Sequence, residues 1–230
     1  MIAIPPHPPH PPPRQSPAGP ADGLPVPGRF AHLHPDDGAC LMESAALLAG
    51  GRFTDSPAGT HPALAALARV VNDSVGDATL HALWPLAADL ADARPADRAY
   101  APRLVGTVVD AARVSRPASR RLARHGRACR RRGERLAHVR TGGLPGRVAD
   151  LLWWRGPGRR HLEHALRVLC AAPDADRRLA RLLREAVAAA RDDAAPSHPE
   201  PGGAEARGTA AHTSPPRALK DDMTYSHAKS

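Results

Sequence analysis

The sequence predicts an all-α protein: an irregular multi-helix bundle over about residues 30–191, with a disordered Pro-rich N-terminus and a disordered C-terminal tail. Three observations lead there. Apolar residues recur at helical spacing in block after block, most cleanly as Leu64, Leu67, Ala68, Val71 and Val75. Aromatic residues are 3% of the 230, so the core is built from Leu, Val and Ala, which suits close-packed helices and fits a β-sheet poorly. Short connectors between the periodic blocks are those of neighbouring helices in a bundle.

Residues 1–29 hold eleven prolines, including the run PPHPPHPPP. Proline fixes φ and removes a donor, so this stretch reads as extended or disordered leader, with docking to a Pro-binding domain as the alternative. The first helix is expected to begin near Asp36–Gly38, where a carboxylate can accept from free N–H groups of the first turn. It carries Leu41, Ala45 and Leu48 and stops at Gly50–Gly51. After the loop RFTDSPAGTHP, Pro62 suits the first turn of the second helix, which ends about Asn72–Val75.

Asp77 reads as the cap of a third helix with Leu80, Leu83, Trp84 and Ala87 inward, kinked or divided at Pro85. Tyr100 to Arg113 makes a fourth. Pro117 opens a basic helix to about His138, with Leu122, Cys129 and Leu136 at heptad steps; Gly126 and Gly133 each weaken it by up to ~1 kcal/mol relative to Ala. TGGLPG at 141–146 and GPG at 156–158 read as breaks around a short helix carrying Val148, Leu151 and Leu152. Helices over 161–171 and 174–191 complete the domain, and the Pro-, Gly- and Ser-rich stretch from Asp192 on reads as tail.

Charge divides the domain in two. Residues 34–112 form an acidic front half and residues 113–191 a basic back half carrying +15, against +9 for the whole chain. The two halves can therefore attract each other as readily as a foreign partner. Of the 32 basic residues only Lys220 and Lys229 are lysines, a usage that GC-rich coding also produces. Cys40, Cys129 and Cys170 form no close pair, so reduced thiols and a cytoplasmic location are expected. No basic start with an apolar run marks a secretory signal, and no stretch approaches the ~20 apolar residues of a membrane span.

The runs Ala39-Cys40-Leu41-Met42-Glu43, Leu48-Ala49-Gly50, Phe53-Thr54-Asp55-Ser56-Pro57, His61-Pro62, Asn72-Asp73 and Pro102-Arg103-Leu104-Val105-Gly106-Thr107 share a pattern. It resembles that of a family of small, mostly uncharacterised actinobacterial proteins with C-x-M-E, Ala-Gly, [ST]-D-x-P and N-D elements. The likeness covers about residues 35–110. It implies a shared fold and no particular activity. Gly51 departs from it, standing where many relatives have an acid.

Six residues in this stretch are candidates for chemistry: Cys40, Glu43, Asp55, His61, Asn72 and Asp73. Cys40 and Glu43 share a helix face, and the loop at Asp55 can fold back on it. Converging carboxylates beside a thiol can bind a cation or move a proton, and a Cys40 nucleophile would need His61. The competing reading makes them satisfied structural groups, with Glu43 accepting N–H bonds from the TDSP loop and Asn72–Asp73 tying the helix end. Zinc ligation is not expected. His161, His164 and Cys170 do not converge on one face, and His125 with Cys129 supplies two ligands of four.

The segment Arg113–Arg140 has eleven arginines and one acid, Glu134. Its proposed contact residues are Arg120, Arg121, Arg124, Arg127, Arg130, Arg131, Arg132 and Arg135, whose guanidinium forks suit phosphate. No helix-turn-helix, zinc finger or RNA-binding aromatic signature accompanies them. An anionic membrane would also want more apolar residues on that helix than its two leucines. The sequence-level reading is a non-enzymatic binding or regulatory module whose partner is a protein or a nucleic acid, with no cofactor named. The alternative is an enzyme or metal-binding protein built on Glu43, Asp55 and Asp73.

Overall fold

The first helix, α1 (Leu41–Leu48), starts at Cys40 and not in the Asp36–Gly38 region. Pro35–Asp37 form a separate 3-10 turn that ends at Gly38, whose φ of 110° takes the chain out of the helical region. Cys40 then caps α1 with a capping box: its Sγ accepts from the Glu43 N–H, and the Glu43 carboxylate accepts from the Cys40 N–H. The computed structural model describes residues 25–138 and 143–194. Of the tail assigned from sequence to 192–230, residues 192–194 instead end the last helix; the rest of it, and the leader before residue 25, lie outside the described residues.

Eight more α-helices follow among the described residues: α2 (Pro62–Ser74), α3 (Asp77–Leu83), α4 (Leu86–Ala91), α5 (Tyr100–Ser115), α6 (Arg120–Ala137), α7 (Gly143–Trp153), α8 (Arg159–Cys170) and α9 (Ala175–Ala194). Proline at N1 and the His61 ring together begin α2, the ring Nδ1 accepting from the Ala63 N–H. Trp84 and Pro85 divide α3 from α4, as the missing proline N–H requires. Ser119 caps α6 by accepting from the Leu122 N–H.

One core runs through the bundle, with α5 at its centre against α2, α6, α8 and α9. Leu122, Gly126, Cys129 and Gly133 form the buried face of α6, and Gly106 of α5 lies opposite Cys129. An added Cβ would stand 3.4 Å from Asp110 Oδ1 at Gly126 and 3.9 Å from the Arg103 Cγ at Gly133, both ordinary contacts. Leu136, read from sequence as part of the seam, is half-buried.

The acidic and basic halves pack together chiefly where α5 meets α6 and α8, and α9 adds polar ties across them. Arg191 pairs with Asp89, Asp193 pairs with Arg103 at 2.6 Å, and Asp176 accepts from the Gly76 N–H at 2.7 Å. The α6 arginines take no part in these ties.

GPG at 156–158 does not break the chain. Trp154–Gly158 form a π-turn that runs α7 straight into α8. Trp153 lies over Gly158, where a Cβ would stand 2.7 Å from the indole, and under the Arg132 guanidinium at 5.1 Å. Asp150 accepts from Arg98 at 2.6 Å and from Arg132 at 2.7 Å. These polar and stacking contacts hold α7. Leu144, Val148, Leu151 and Leu152 face solvent instead of entering the core. No helix among the described residues is long and apolar enough to cross a membrane.

Candidate functional site

Glu43 is 1% exposed and accepts three hydrogen bonds: from the Cys40 N–H at 2.8 Å, the His32 N–H at 2.7 Å and His32 Nδ1 at 2.9 Å. Burial alone would raise its pKa, but the Cys40 and His32 donors together hold it below the ordinary carboxylate value. The partner is thus the segment before α1 and not the TDSP loop. Pro25–Arg29, assigned from sequence to the leader, belong to the fold. The Gly28 N–H donates to Ala39 O at 2.7 Å, and the Ala39 N–H donates to Val26 O at 3.0 Å.

Asn72 extends the same network. Its Oδ1 accepts from the Leu41 N–H at 3.1 Å, and its Nδ2 donates to Gly28 O at 2.9 Å and to Asp73 Oδ1 at 3.1 Å. Asp73 Oδ1 also accepts from the Phe30 N–H at 2.8 Å. The buried Glu43 and Asn72 are both answered mainly by backbone, the arrangement of a structural hub.

The other two candidates stand apart. Asp55 accepts from its neighbour Ser56 Oγ and lies 3.7 Å from Arg69 Nη1. His61 caps α2, meets Tyr100 edge-on at 4.9 Å, and is lowered to a pKa of about 4 by burial and then by Arg94. Burial pushes the Cys40 thiol up to about 12, so it carries no thiolate for nucleophilic attack. The six residues therefore divide among three local tasks: Cys40, Glu43, Asn72 and Asp73 in one network, Asp55 in its loop, His61 at its cap. Glu43, Asp55 and Asp73 share no hydrogen-bond partner and are not brought together as one site.

The α6 arginines form a coherent surface. Arg120, Arg121, Arg124, Arg127, Arg130, Arg131 and Arg135 are exposed, all but Arg130 turned away from Leu122, Gly126, Cys129 and Gly133, and Arg130 at the edge of that buried stripe. Among the described residues none of the seven pairs with a carboxylate, while several arginines elsewhere do, Arg98, Arg103, Arg178 and Arg191 among them. Arg132 is the exception on α6. It is half-buried and held by Asp150, so it leaves the proposed contact surface.

Sequence reasoning also missed a meeting of histidines. His125 of α6 lies 4.1 Å from the His161 ring and 5.3 Å from the His164 ring of α8. The spacing of His161 and His164 puts them on one face, but only the fold reveals that His125 is what they face. Burial lowers His125 to about 4, helped by the two histidines and by Arg121 and Arg124. His161 is lowered by burial and Arg160, and His164 by burial and then Arg121, Arg167 and Arg116. Among the described residues no group of three or more His, Cys, Asp or Glu is placed to hold a metal ion.

No protein-family model, no curated protein and no solved structure matches the chain.

Proposed function

We propose that the protein is a non-enzymatic binding module that engages nucleic-acid phosphates through the exposed face of α6. The observation that carries this reading is the set of seven exposed arginines with no carboxylate partner among the described residues. Among the described residues, pairing of a basic-half cation with an acidic-half carboxylate is limited to Arg191 with Asp89 and, within α5, Arg113 with Asp110, and none of the seven α6 arginines takes part in it. An α-helix of 18 residues is about 27 Å long, enough to track several phosphates of a duplex. No base-reading element accompanies the face, so the expected binding is insensitive to sequence. The resemblance to small actinobacterial proteins fits a structural role for its motif. We propose that Cys40, Glu43, Asn72 and His61 recur in such a pattern because they assemble this framework.

The test is fluorescence anisotropy of labelled duplex DNA and RNA with the full chain over a range of salt. Expected is log Kobs falling linearly with log salt, with a slope of about −0.9 per phosphate contacted on DNA. Replacing Arg124, Arg127 and Arg131 by Ala should weaken binding and flatten that slope while circular dichroism is unchanged. Negligible binding at low salt would remove the reading. Binding to an acidic protein alone would replace it with a protein partner.

A further inference from the structure

A cleft of about 320 Å3 opens between α2, the TDSP loop and the π-turn leading into α8. Its floor is apolar, with Ala66 and Val70 from α2 and the buried Leu162 and Leu166 from α8. Trp154 forms one wall. The π-turn that joins α7 to α8 begins at this residue. Such turns are frequent where a helix serves a ligand.

Three arginines stand on the rim: Arg69 from α2, Arg94 from the connector between α4 and α5, and Arg159 from the start of α8. Arg69 Nη1 donates to Asp55 O at 2.8 Å and to Ser56 Oγ at 3.0 Å, with Asp55 Oδ2 at 3.7 Å. Arg94 Nη1 donates to Ala58 O. Arg159 Nε donates to Glu163 at 2.7 Å. Each guanidinium is thus steadied through one nitrogen, leaving its other nitrogens able to donate. Glu163 is the one carboxylate residue lining the cleft, and it already serves Arg159. An apolar floor with convergent cationic donors above it is the construction of a small-molecule site for an anion.

We infer that this cleft binds a small organic anion, a carboxylate or phosphate ester on a flat apolar body. The body lies against Trp154 and the leucines of α8, and the anionic group faces Arg69, Arg94 and Arg159. This site is separate from the α6 face. It gives the TDSP loop a second role beside covering the bundle, since that loop orients Arg69 and Arg94 through its carbonyls.

The probe is 8-anilinonaphthalene-1-sulfonate, which carries a sulfonate on an aromatic body, titrated into the full chain by fluorescence and calorimetry. Saturable binding of one dye is expected, displaced by benzoate or phenyl phosphate and not by benzylamine; which of the two anions displaces better distinguishes a carboxylate from a phosphate ligand. Arg94→Gln and Arg159→Gln, both at exposed side chains, should each weaken it by roughly tenfold. Ala66→Phe should block it by filling the floor, with circular dichroism confirming the fold. Dye binding that survives all three variants overturns the inference, as does binding lost only in Leu151→Ser/Leu152→Ser, which would place the dye on the exposed stripe of α7. Absence of saturable binding overturns it too. Nucleic-acid binding should be unchanged in the cleft variants, so the two readings fail independently.

Discussion

The His32 main chain and imidazole both face the Glu43 carboxylate, at 2.7 Å from N and 2.9 Å from Nδ1. With the Cys40 N–H as a third donor, the charge of a carboxylate buried to 1% exposure is stabilised in place by the segment that precedes its own helix. Hydrogen bonds to a charged acceptor contribute more than neutral ones and are costly to break inside a core.

Glu43→Gln should therefore destabilise the fold by about 2 kcal/mol, because the amide replaces one acceptor oxygen with a donor facing donors. Urea unfolding monitored by circular dichroism measures this. Nucleic-acid binding by the folded variant should match the parent. Unchanged stability with altered binding would make Glu43 a functional group after all.

Acid should loosen the interface between α6 and α8. In the folded chain burial holds His125 at about 4, and His161 and His164 are lowered as well, with Arg116, Arg121, Arg124, Arg160 and Arg167 around them. The unfolded chain takes up protons on the same rings from its ordinary value of 6.5 downward. Stability is thus full above about pH 6.5, falls as pH drops, and levels off near pH 4 for His125. His61, also at about 4, adds to the same window. Glu43 works lower: its contribution is complete above its ordinary 4.5 and is lost as pH falls through its depressed folded value. Urea midpoints at several pH values should show the upper step shrinking in His125→Asn.

The thiols should separate cleanly by reactivity. Burial pushes Cys40 and Cys129 up to about 12, whereas Cys170 is exposed. A colorimetric thiol titration of the native protein should count one fast group, and all three should react after denaturation.

Two glycines should respond in opposite directions to alanine. At Gly133 the nearest foreign atom to an added Cβ is the Arg103 Cγ at 3.9 Å, so Gly133→Ala should gain up to ~1 kcal/mol of helix stability. At Gly59 a Cβ would meet Ala91 O at 2.1 Å, where the loop crosses the end of α4, and Gly59→Ala should cost about 1–3 kcal/mol. Thermal melts of the two variants test both.

Much of the helix pattern was legible because it is a local property. The spacing of Leu64, Leu67, Ala68 and Val71 marks the inner face of α2, and Pro62 marks its start, whatever surrounds them. What covers a face is not local. Leu144, Val148, Leu151 and Leu152 have the spacing of a buried stripe, yet α7 is docked from its other side by Asp150 and Trp153. The hub was half legible. Glu43 follows Cys40 by three residues, as a capping box requires, but its remaining donors come from residues with no periodicity and two prolines nearby. The arginine face could be read as a face, while its lack of carboxylate partners among the described residues needed the positions of the acids that the fold brings near it.

The docking of residues 25–32 sets an order of events during synthesis. Arg29 and Gly28 reach partners 44 residues further along the chain, at Asp73 and Asn72. A ribosome therefore delivers this strap well before the helix end that will hold it. Pro25 and Pro27 keep it from being drawn into a helix of its own meanwhile, so it waits extended. The bonds of the strap to Ala39 and Glu43 need only α1, whereas its ties to Asn72 and Asp73 become possible once α2 has been made.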